Sequence, residues 1–522
     1  MKNSIIICFL FQLQVFSQKT IIEVQPFLQD ATPNSIIIKW QTNSNKKSFV
    51  EWGLSRKLGN KNRAKSEDIN FTAKRIHKVK LSDLKRFTTY YYRVKTGKTI
   101  SDIFQFKTPP FARDEKSFKI VAMSDMQYDH NQPDKYKEIV NEGVISYLKN
   151  ELKGKLSDNL ALVMIPGDLV ENGTKLKQWE NHFFKPSKKI FSRVPVYPVL
   201  GNHEKNSQYY FKYFSLPKNG SPEYAEHWWY KDYGNTRILG LDSNNGYRDS
   251  KNQYLWLKTT LEKTAKDDNI DFVFAQLHHP HKSELWIPGE EDFSRKVVKL
   301  LESFTTKTGK PSVHFFGHTH GYSRGQSKNH KHLWVNVASA GGAIDNWGEF
   351  KGRDYEEFTV TQDEYGFVVV EVDGNRKNPK FTLKRISRGN KDNFRNNELR
   401  DSIVIYKKRR KPHFPKGLIT KNTTIKGAIL KAGAFKSDFN NAFHAASNWQ
   451  VSTKKDFSEL ILDSWKQHEN WYYKENRQKN DDLTDEKTNR LKANTTYYWR
   501  VRYRDQSLNW SDWSNTTSFK TK

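Results

Sequence analysis

Five short tracts of this chain carry side chains that bind metal ions. Ser124-Asp125-Met126-Gln127, Gly167-Asp168, Gly201-Asn202-His203-Glu204, His278-His279-Pro280 and Gly317-His318-Thr319-His320 follow one another within residues 116–395. Their donors are carboxylates, an amide oxygen and imidazoles, without a thiolate. That set suits Zn, Fe or Mn, and two aspartates with several histidines are enough for two ions sharing a carboxylate. Taken singly the tracts are weak: a Gly-Asp pair is most often a turn, and His-His-Pro most often a packed or surface histidine. Gly-Asn-His-Glu has no obvious turn or cap purpose. In Gly-His-Thr-His the alternate residues at a strand end share a face, so both histidines aim at one centre.

The elements that must position these tracts are also legible. Each tract follows an apolar, strand-like run, at 119–123, 160–165, 194–200, 272–277 and 312–316. Amphipathic stretches with helical spacing (136–148, 253–262, 293–304) alternate with them, so this region reads as α/β. In open α/β sheets ligands gather at the carboxyl ends of strands, which lets the five tips converge on one spot. Glycine ahead of three tips permits a sharp turn and close backbone approach.

In this motif set the region resembles the calcineurin-like metallophosphoesterases, and more narrowly their purple acid phosphatase branch, where such a domain follows a fibronectin-like β domain. The resemblance covers about residues 20–395 and takes in Trp179, Phe183, Gln253-Tyr254-Leu255-Trp256-Leu257 and His320-Gly321-Tyr322-Ser323-Arg324. It implies an α/β metallophosphoesterase sandwich, with mixed sheets flanked by helices. Carried over by position, it implies that Asp168 bridges two metals. Asp125 and His320 would complete the first site, and Asn202, His278 and His318 the second. His203 would meet the substrate as a donor to phosphate or as general acid to the leaving oxygen. His279, His281, Tyr322 and Arg324 are candidates for an outer ring around the substrate, and Glu171 and Glu204 for orienting a histidine or a metal water. The implied cofactors are two divalent or trivalent transition metal ions (Fe, Zn or Mn), which activate water and clamp the oxygens of an in-line displacement.

Two positions depart from the pattern. The tyrosine that colours true purple phosphatases should stand three residues after the bridging aspartate, where this chain has Glu171. No purple colour is therefore expected. Gln127 stands where phosphodiesterase-like members often carry a metal-binding histidine, and it either contacts a metal through its carbonyl oxygen or binds substrate. Both departures fall on the first metal site, which is expected to be non-standard.

At 522 residues the chain is too long for one ordinary domain and suggests about three. Residues 20–109 and 410–522 both read as all-β. Thr88-Thr89-Tyr90-Tyr91-Tyr92-Arg93-Val94 is echoed by Thr495-Thr496-Tyr497-Tyr498-Trp499-Arg500-Val501, and Phe106-Lys107-Thr108 by Phe519-Lys520-Thr521. These ends resemble the closing strands of fibronectin type III modules. The expected architecture is thus a central domain (116–395) between two all-β fibronectin III-like modules. Lys407-Lys408-Arg409-Arg410-Lys411 reads as a solvated linker. Trp510-Ser511-Asp512-Trp513-Ser514 reads as a packed cation–aromatic ladder with Arg500, Arg502 and Arg504.

Lys2 followed by an apolar stretch and a small residue at Ser17 reads as a signal peptide over residues 1–17, so the protein is expected to be exported, periplasmic or secreted. The single cysteine, Cys8, lies inside it, which excludes disulfides and thiolate metal sites from the mature chain. No apolar run reaches the ~18–20 residues that span a bilayer, so stable membrane insertion is not expected. The net charge of +30 favours an anionic substrate or partner without choosing among phosphates, nucleic acid and acidic polysaccharide. The expected function is an exported dinuclear-metal phosphoesterase acting on mono- or diesters. A substrate such as a nucleotide is compatible with the aromatic residues of 205–234. The alternatives are a carbohydrate-active enzyme of the same scaffold acting on an acidic polysaccharide, and a non-catalytic binding protein, against which the presence of His203 argues.

Overall fold

The computed structural model describes residues 19–522 apart from 70, 71, 152, 245, 247, 248 and 351. The expected signal segment, with Cys8, lies outside the described residues.

Two sheets face each other at the centre. One runs, in spatial order, Val196–Pro198, Leu162–Ile165, Phe118–Ala122, Tyr365–Val372, Lys380–Gly389 and Phe394–Tyr406. The other runs Trp229–Tyr233, Thr236–Gly240, Phe272–Gln276, Ser312–Phe316, His332–Asn336, Tyr322–Gln326 and Phe358–Gln362. The strands that carry the ligand tracts are parallel to one another within each sheet, which puts their carboxyl ends on one side. Every residue of Leu162–Ile165, Phe272–Gln276 and Ser312–Phe316 is buried. Burial on both faces is why Leu162–Ile165 and Phe272–Ala275 read as apolar runs without alternation, while Ser312–Phe316 buries Ser312 and His314 among its apolar residues.

Alternation reappears in how the two faces are used. Phe272, Phe274, Val313 and Phe315 point inward to the core shared by the sheets, where Phe272 and Phe274 meet Phe381 edge-on with ring centroids 5.3 and 5.1 Å apart. Val273 and Ala275 point outward to Leu257 and Leu261 of helix Ser250–Ala265 and to Val297 and Leu301 of helix Asp292–Thr308. Asp249 caps the first of these helices by accepting the Asn252 N–H at 2.9 Å. The result is an α/β sandwich of mixed sheets flanked by helices, with an all-β module on either side in sequence.

Each module is a two-sheet sandwich, and the repeated segments occupy equivalent strands, Thr89–Thr96 and Thr496–Asp505, each paired with the closing strand Phe104–Lys107 or Thr517–Lys520. A shared device explains the echo. Tyr90 Oη accepts the Lys85 N–H at 2.8 Å and Tyr497 Oη accepts the Lys492 N–H at 2.8 Å, five residues upstream in both cases. These are the same tyrosine corner built twice. The cation–aromatic ladder is present: Arg500 lies 4.4 Å from the Trp513 ring, Arg502 4.6 Å from Trp513 and 4.4 Å from Trp510, and Arg504 5.2 Å from Trp510.

The basic run differs from its expected solvated state. The first central sheet continues to Tyr406, and the chain then bends at Lys407 and Lys408 and runs on without regular structure. Lys407 pairs with Asp271 at 2.6 Å and Lys411 with Asp512 at 2.9 Å. Between them Arg409 stacks 3.6 Å over Phe439 and lies 3.4 Å from Asp505. Lys408 and Arg410 are exposed. Every other cation of the run thus meets a carboxylate, and these pairs fasten the C-terminal module to the central domain.

Candidate metal centre

The five strand ends meet. Asp125, Asp168 and His278 present ligand atoms within 4.8 Å of one another, and so do His278, His279 and His318. Asp168 Oδ2 lies 3.2 Å from His278 Nε2, which in turn lies 2.8 Å from Asn202 Oδ1 and 3.2 Å from His318 Nδ1. Beside them His320 Nε2 stands 3.2 Å from Asp125 Oδ1.

Backbone carbonyls aim the imidazoles. His278 Nδ1 lies 2.9 Å from Pro166 O, His320 Nδ1 2.6 Å from Ala343 O, and His203 Nδ1 2.6 Å from Glu171 O. A carbonyl only accepts, so in each ring Nδ1 carries a proton and Nε2 is the nitrogen turned toward the carboxylates. His203 Nε2 is 3.9 Å from Asp168 Oδ2, and its side chain is 36% exposed, so it borders both the centre and solvent. Ser243 Oγ accepts the backbone N–H groups of His278 (3.2 Å) and His279 (2.9 Å) and lies 2.8 Å from His279 Nδ1. With both lone pairs engaged, the hydroxyl donates to Nδ1, which leaves the proton of His279 on Nε2.

The loops that hold these groups are strained and tightly packed. Asp125, Asp168 and His318 have φ of 58°, 53° and 71°, a left-handed region uncommon for side-chain-bearing residues and concentrated at functional sites. At Gly201 and Gly317 an added Cβ would lie 2.1 Å from Asp168 Oδ1 and 2.5 Å from Asp125 Oδ2, so only glycine admits the carboxylates. Glu204 is buried and accepts the N–H groups of Asp168 (2.8 Å), Leu169 (2.8 Å) and Gly201 (2.7 Å). Its carboxylate thus joins the second and third tips through their backbone, rather than orienting a histidine or a metal water.

Burial opposes charge on Asp168, yet the neighbouring His278 and the His203 N–H hold it well below the usual carboxylate range. His278, despite its own burial, is raised to about 9 by Asp168. His318, half-buried beside His278, is lowered by burial to about 4 and is neutral at neutral pH. Gln127 donates Nε2–H to Asp168 Oδ2 at 2.8 Å, while its Oε1 is buried without a hydrogen-bond partner. An orphaned amide oxygen among carboxylates and imidazoles fits a cation held there.

Of the outer ring, only His279 belongs to the cluster, its ring centroid 4.4 Å from that of His318. His281 packs against Trp334 at 5.3 Å, away from the carboxylates, and burial lowers it to about 4. Tyr322 and Arg324 stand furthest from the expected outer ring. Both are buried in strand Tyr322–Gln326, and both are held by Asp401, whose Oδ2 accepts from Tyr322 Oη at 2.6 Å and from Arg324 Nε at 2.6 Å. Their polar ends face the last strand of the opposite sheet and not the metal centre. The Glu171 side chain reaches no closer than 3.5 Å to Gln178 Nε2, and it is the carbonyl of this residue that orients His203.

Sequence reasoning missed three contributors. Ser243 follows Thr236–Gly240 in Gly240-Leu241-Asp242-Ser243, a sixth apolar run ending in polar residues, and the rule used for the other five would have found it. Ala343 and Asp345 hold His320 through its Nδ1–H and its backbone N–H (2.7 Å), and a carbonyl has no residue-type signature. Their loop is braced by the C-terminal module, where Tyr472 Oη donates to Phe350 O at 2.9 Å and Arg477 pairs with Asp354.

The segment after His279 is anchored by Glu284, which accepts from Thr361 Oγ1 at 2.8 Å and from the Tyr355 N–H at 3.0 Å. Burial pushes its carboxyl up to about 8. The folded value exceeds the unfolded one, about 4.3. The stability this group contributes is then complete below that unfolded value and lost as the pH rises through about 8. Urea midpoints of the wild type should fall between pH 5 and 8 more steeply than those of Glu284→Gln. Equal slopes in the two proteins would refute this assignment.

Comparison with known proteins agrees with the geometry. The family described as calcineurin-like phosphoesterase matches residues 118–322, the purple acid phosphatase N-terminal domain matches 23–108, and the Rha78A-like N-terminal immunoglobulin domain matches 437–522. Purple acid phosphatase 15 of Arabidopsis thaliana is 25% identical over 276 residues, 49% of this chain and 50% of that protein. Probable inactive purple acid phosphatase 27 of the same plant is 23% identical over 321 residues, 53% of this chain and 50% of that protein. The matches thus span about half the length of these curated relatives. A purple acid phosphatase from yellow lupin (Lupinus luteus) seeds shares the fold, with a TM-score of 0.57, 17% identity and 73% of each chain covered. Strand ends, ligand types and family matches lead to one statement: this chain carries a calcineurin-like phosphoesterase domain preceded by the N-terminal domain of purple acid phosphatases.

Proposed function

We propose that the protein is an exported phosphate ester hydrolase that uses two transition metal ions. The observation that carries this reading is the set of imidazoles whose Nδ1–H groups are tied to the carbonyls of Pro166, Ala343 and Glu171, so that each Nε2 turns toward Asp168 or Asp125. Asp168 would be shared between the ions, with Asp125, His320 and Gln127 Oε1 on one side and Asn202, His278 and His318 on the other. When bound, such ions supply Lewis acidity to water and to the ester oxygens.

The chain's own residues do the rest. His203, fixed through Nδ1–H, holds its Nε2 at the edge of the centre, where the doubly protonated ring delivers its Nε2 proton to the departing oxygen of the ester and is left neutral. His279 presents Nε2–H as a donor to a phosphoryl oxygen. Gln127 Nε2–H steadies Asp168, and Glu204 keeps the second and third tips together. Export rests on the signal-like residues 1–17. Among the described residues no helix is long and apolar enough to cross a membrane.

Metal analysis of the purified mature protein, with a panel of phosphate mono- and diesters and Asn202→Ala as control, tests this reading. About two equivalents of transition metal, and ester hydrolysis lost in the variant, are expected. Bound metal with no ester hydrolysis would transfer the function to acidic polysaccharide, and protein without metal would be a binding protein.

A further inference from the structure

A cleft of about 810 Å³ opens beside the metal centre and takes no part in the roles just assigned. Gln127, the residue that touches Asp168, forms one end of it, and Lys185, Lys188 and Lys189 line it as well. We propose that this cleft receives the leaving group of the ester, and that the leaving group is a nucleoside carrying a second phosphate. The proposal rests on the phosphoesterase reading and gives it a substrate class.

Two features of the cleft support this. Its wall holds Tyr128 and His182, which stack face to face with centroids 4.5 Å apart at 21°, while His130 meets Tyr128 edge-on at 5.1 Å. Half-buried stacked rings of this kind extend naturally to a third planar ring such as a nucleobase. Both rings are half-buried, which leaves part of each open to a ligand in the cleft.

The second feature is charge. Most of the carboxylates lining the cleft are already paired. Glu138 and Glu142 lie 3.0 and 3.2 Å from Arg388, and Asp134 lies 3.4 Å from Lys137. Lys185, Lys188 and Lys189 are exposed, and among the described residues none has a carboxylate within ion-pair distance. An anion placed between them meets cations without displacing an existing partner. The reacting phosphate belongs at the metal centre. The lysines therefore call for a second anionic group on the same molecule, beyond the ring.

The test uses the full mature protein and its Lys185→Ala/Lys188→Ala/Lys189→Ala variant. Two substrates are compared: a nucleoside 3′,5′-bisphosphate, and p-nitrophenyl phosphate, which has a ring but no second phosphate. In the variant KM for the bisphosphate is expected to rise about tenfold at unchanged kcat, while kcat/KM for p-nitrophenyl phosphate stays within about twofold. Calorimetry of the bisphosphate on EDTA-treated protein should show Kd weakened by the same factor, and His182→Ala should weaken it too. Equal losses on both substrates, or an unchanged KM and Kd for the bisphosphate, would overturn the proposal. Wild-type protein that hydrolyses neither substrate would count against the phosphoesterase reading alone, because binding to the EDTA-treated protein still decides the cleft.

Discussion

Asp168→Asn is expected, on the two-metal reading proposed above, to lose bound metal and to lower ester hydrolysis by about a thousandfold, equivalent to the several kcal/mol of transition-state stabilisation that metal ions supply. The substitution is informative because it separates charge from backbone strain. Asp168 has φ of 53°, a conformation that asparagine adopts about as readily as aspartate, so the loop should keep its path. The side chain is another matter. Oδ1 accepts the His203 N–H at 3.0 Å, and Oδ2 accepts Gln127 Nε2–H at 2.8 Å while facing His278 Nε2 at 3.2 Å. An amide places an NH₂ group against one of these donors whichever way it turns, and it removes the negative charge that two cations would share. Metal content, kcat and thermal midpoint measured on one preparation check the expectation. A variant that keeps two equivalents of metal and wild-type turnover would show that Asp168 bridges nothing.

The second large effect concerns stability. Asp401→Ala should cost about 3–5 kcal/mol, the typical penalty for removing one partner of a buried ion pair. Asp401 accepts from Arg324 at Nε (2.6 Å) and Nη2 (3.0 Å) and from the Tyr322 hydroxyl (2.6 Å). The Arg324 and Asp401 side chains are 5% and 6% exposed. Without the carboxylate the guanidinium is left charged and unpaired in a buried site, and the hydroxyl loses its acceptor. This group ties the last strand of one sheet to Tyr322–Gln326 of the other, so the loss should appear as a lower urea midpoint at an unchanged m-value. At a temperature where the variant is folded, kcat/KM should stay within about twofold of wild type. A raised KM with an undiminished midpoint would return Tyr322 and Arg324 to the substrate-binding role their position in the motif suggests.

Much of this molecule is written locally in its residues. Leu162–Ile165 and most of Phe272–Gln276, buried on both faces, read as apolar runs, and the candidate ligands follow within a few residues, so the fold class and the candidate ligand types are visible without coordinates. The echo between 88–94 and 495–501 likewise reflects a local device, a tyrosine corner spanning five residues. What the tertiary structure alone decided is how the polar groups are partnered. Arg324 faces Asp401 77 residues away instead of substrate. Three of the five cations of the 407–411 run meet Asp271, Asp505 and Asp512, while Lys408 and Arg410 stay exposed. Glu204 takes backbone N–H groups 35 and 36 residues distant. The carbonyls of Pro166, Ala343 and Glu171 choose the tautomers of the histidines. Apolar burial is nondirectional and leaves its period in the chain. A hydrogen bond or ion pair is satisfied by any donor and acceptor that packing brings within about 3 Å, and every residue but proline carries both on its backbone, so only the folded chain selects which pair forms.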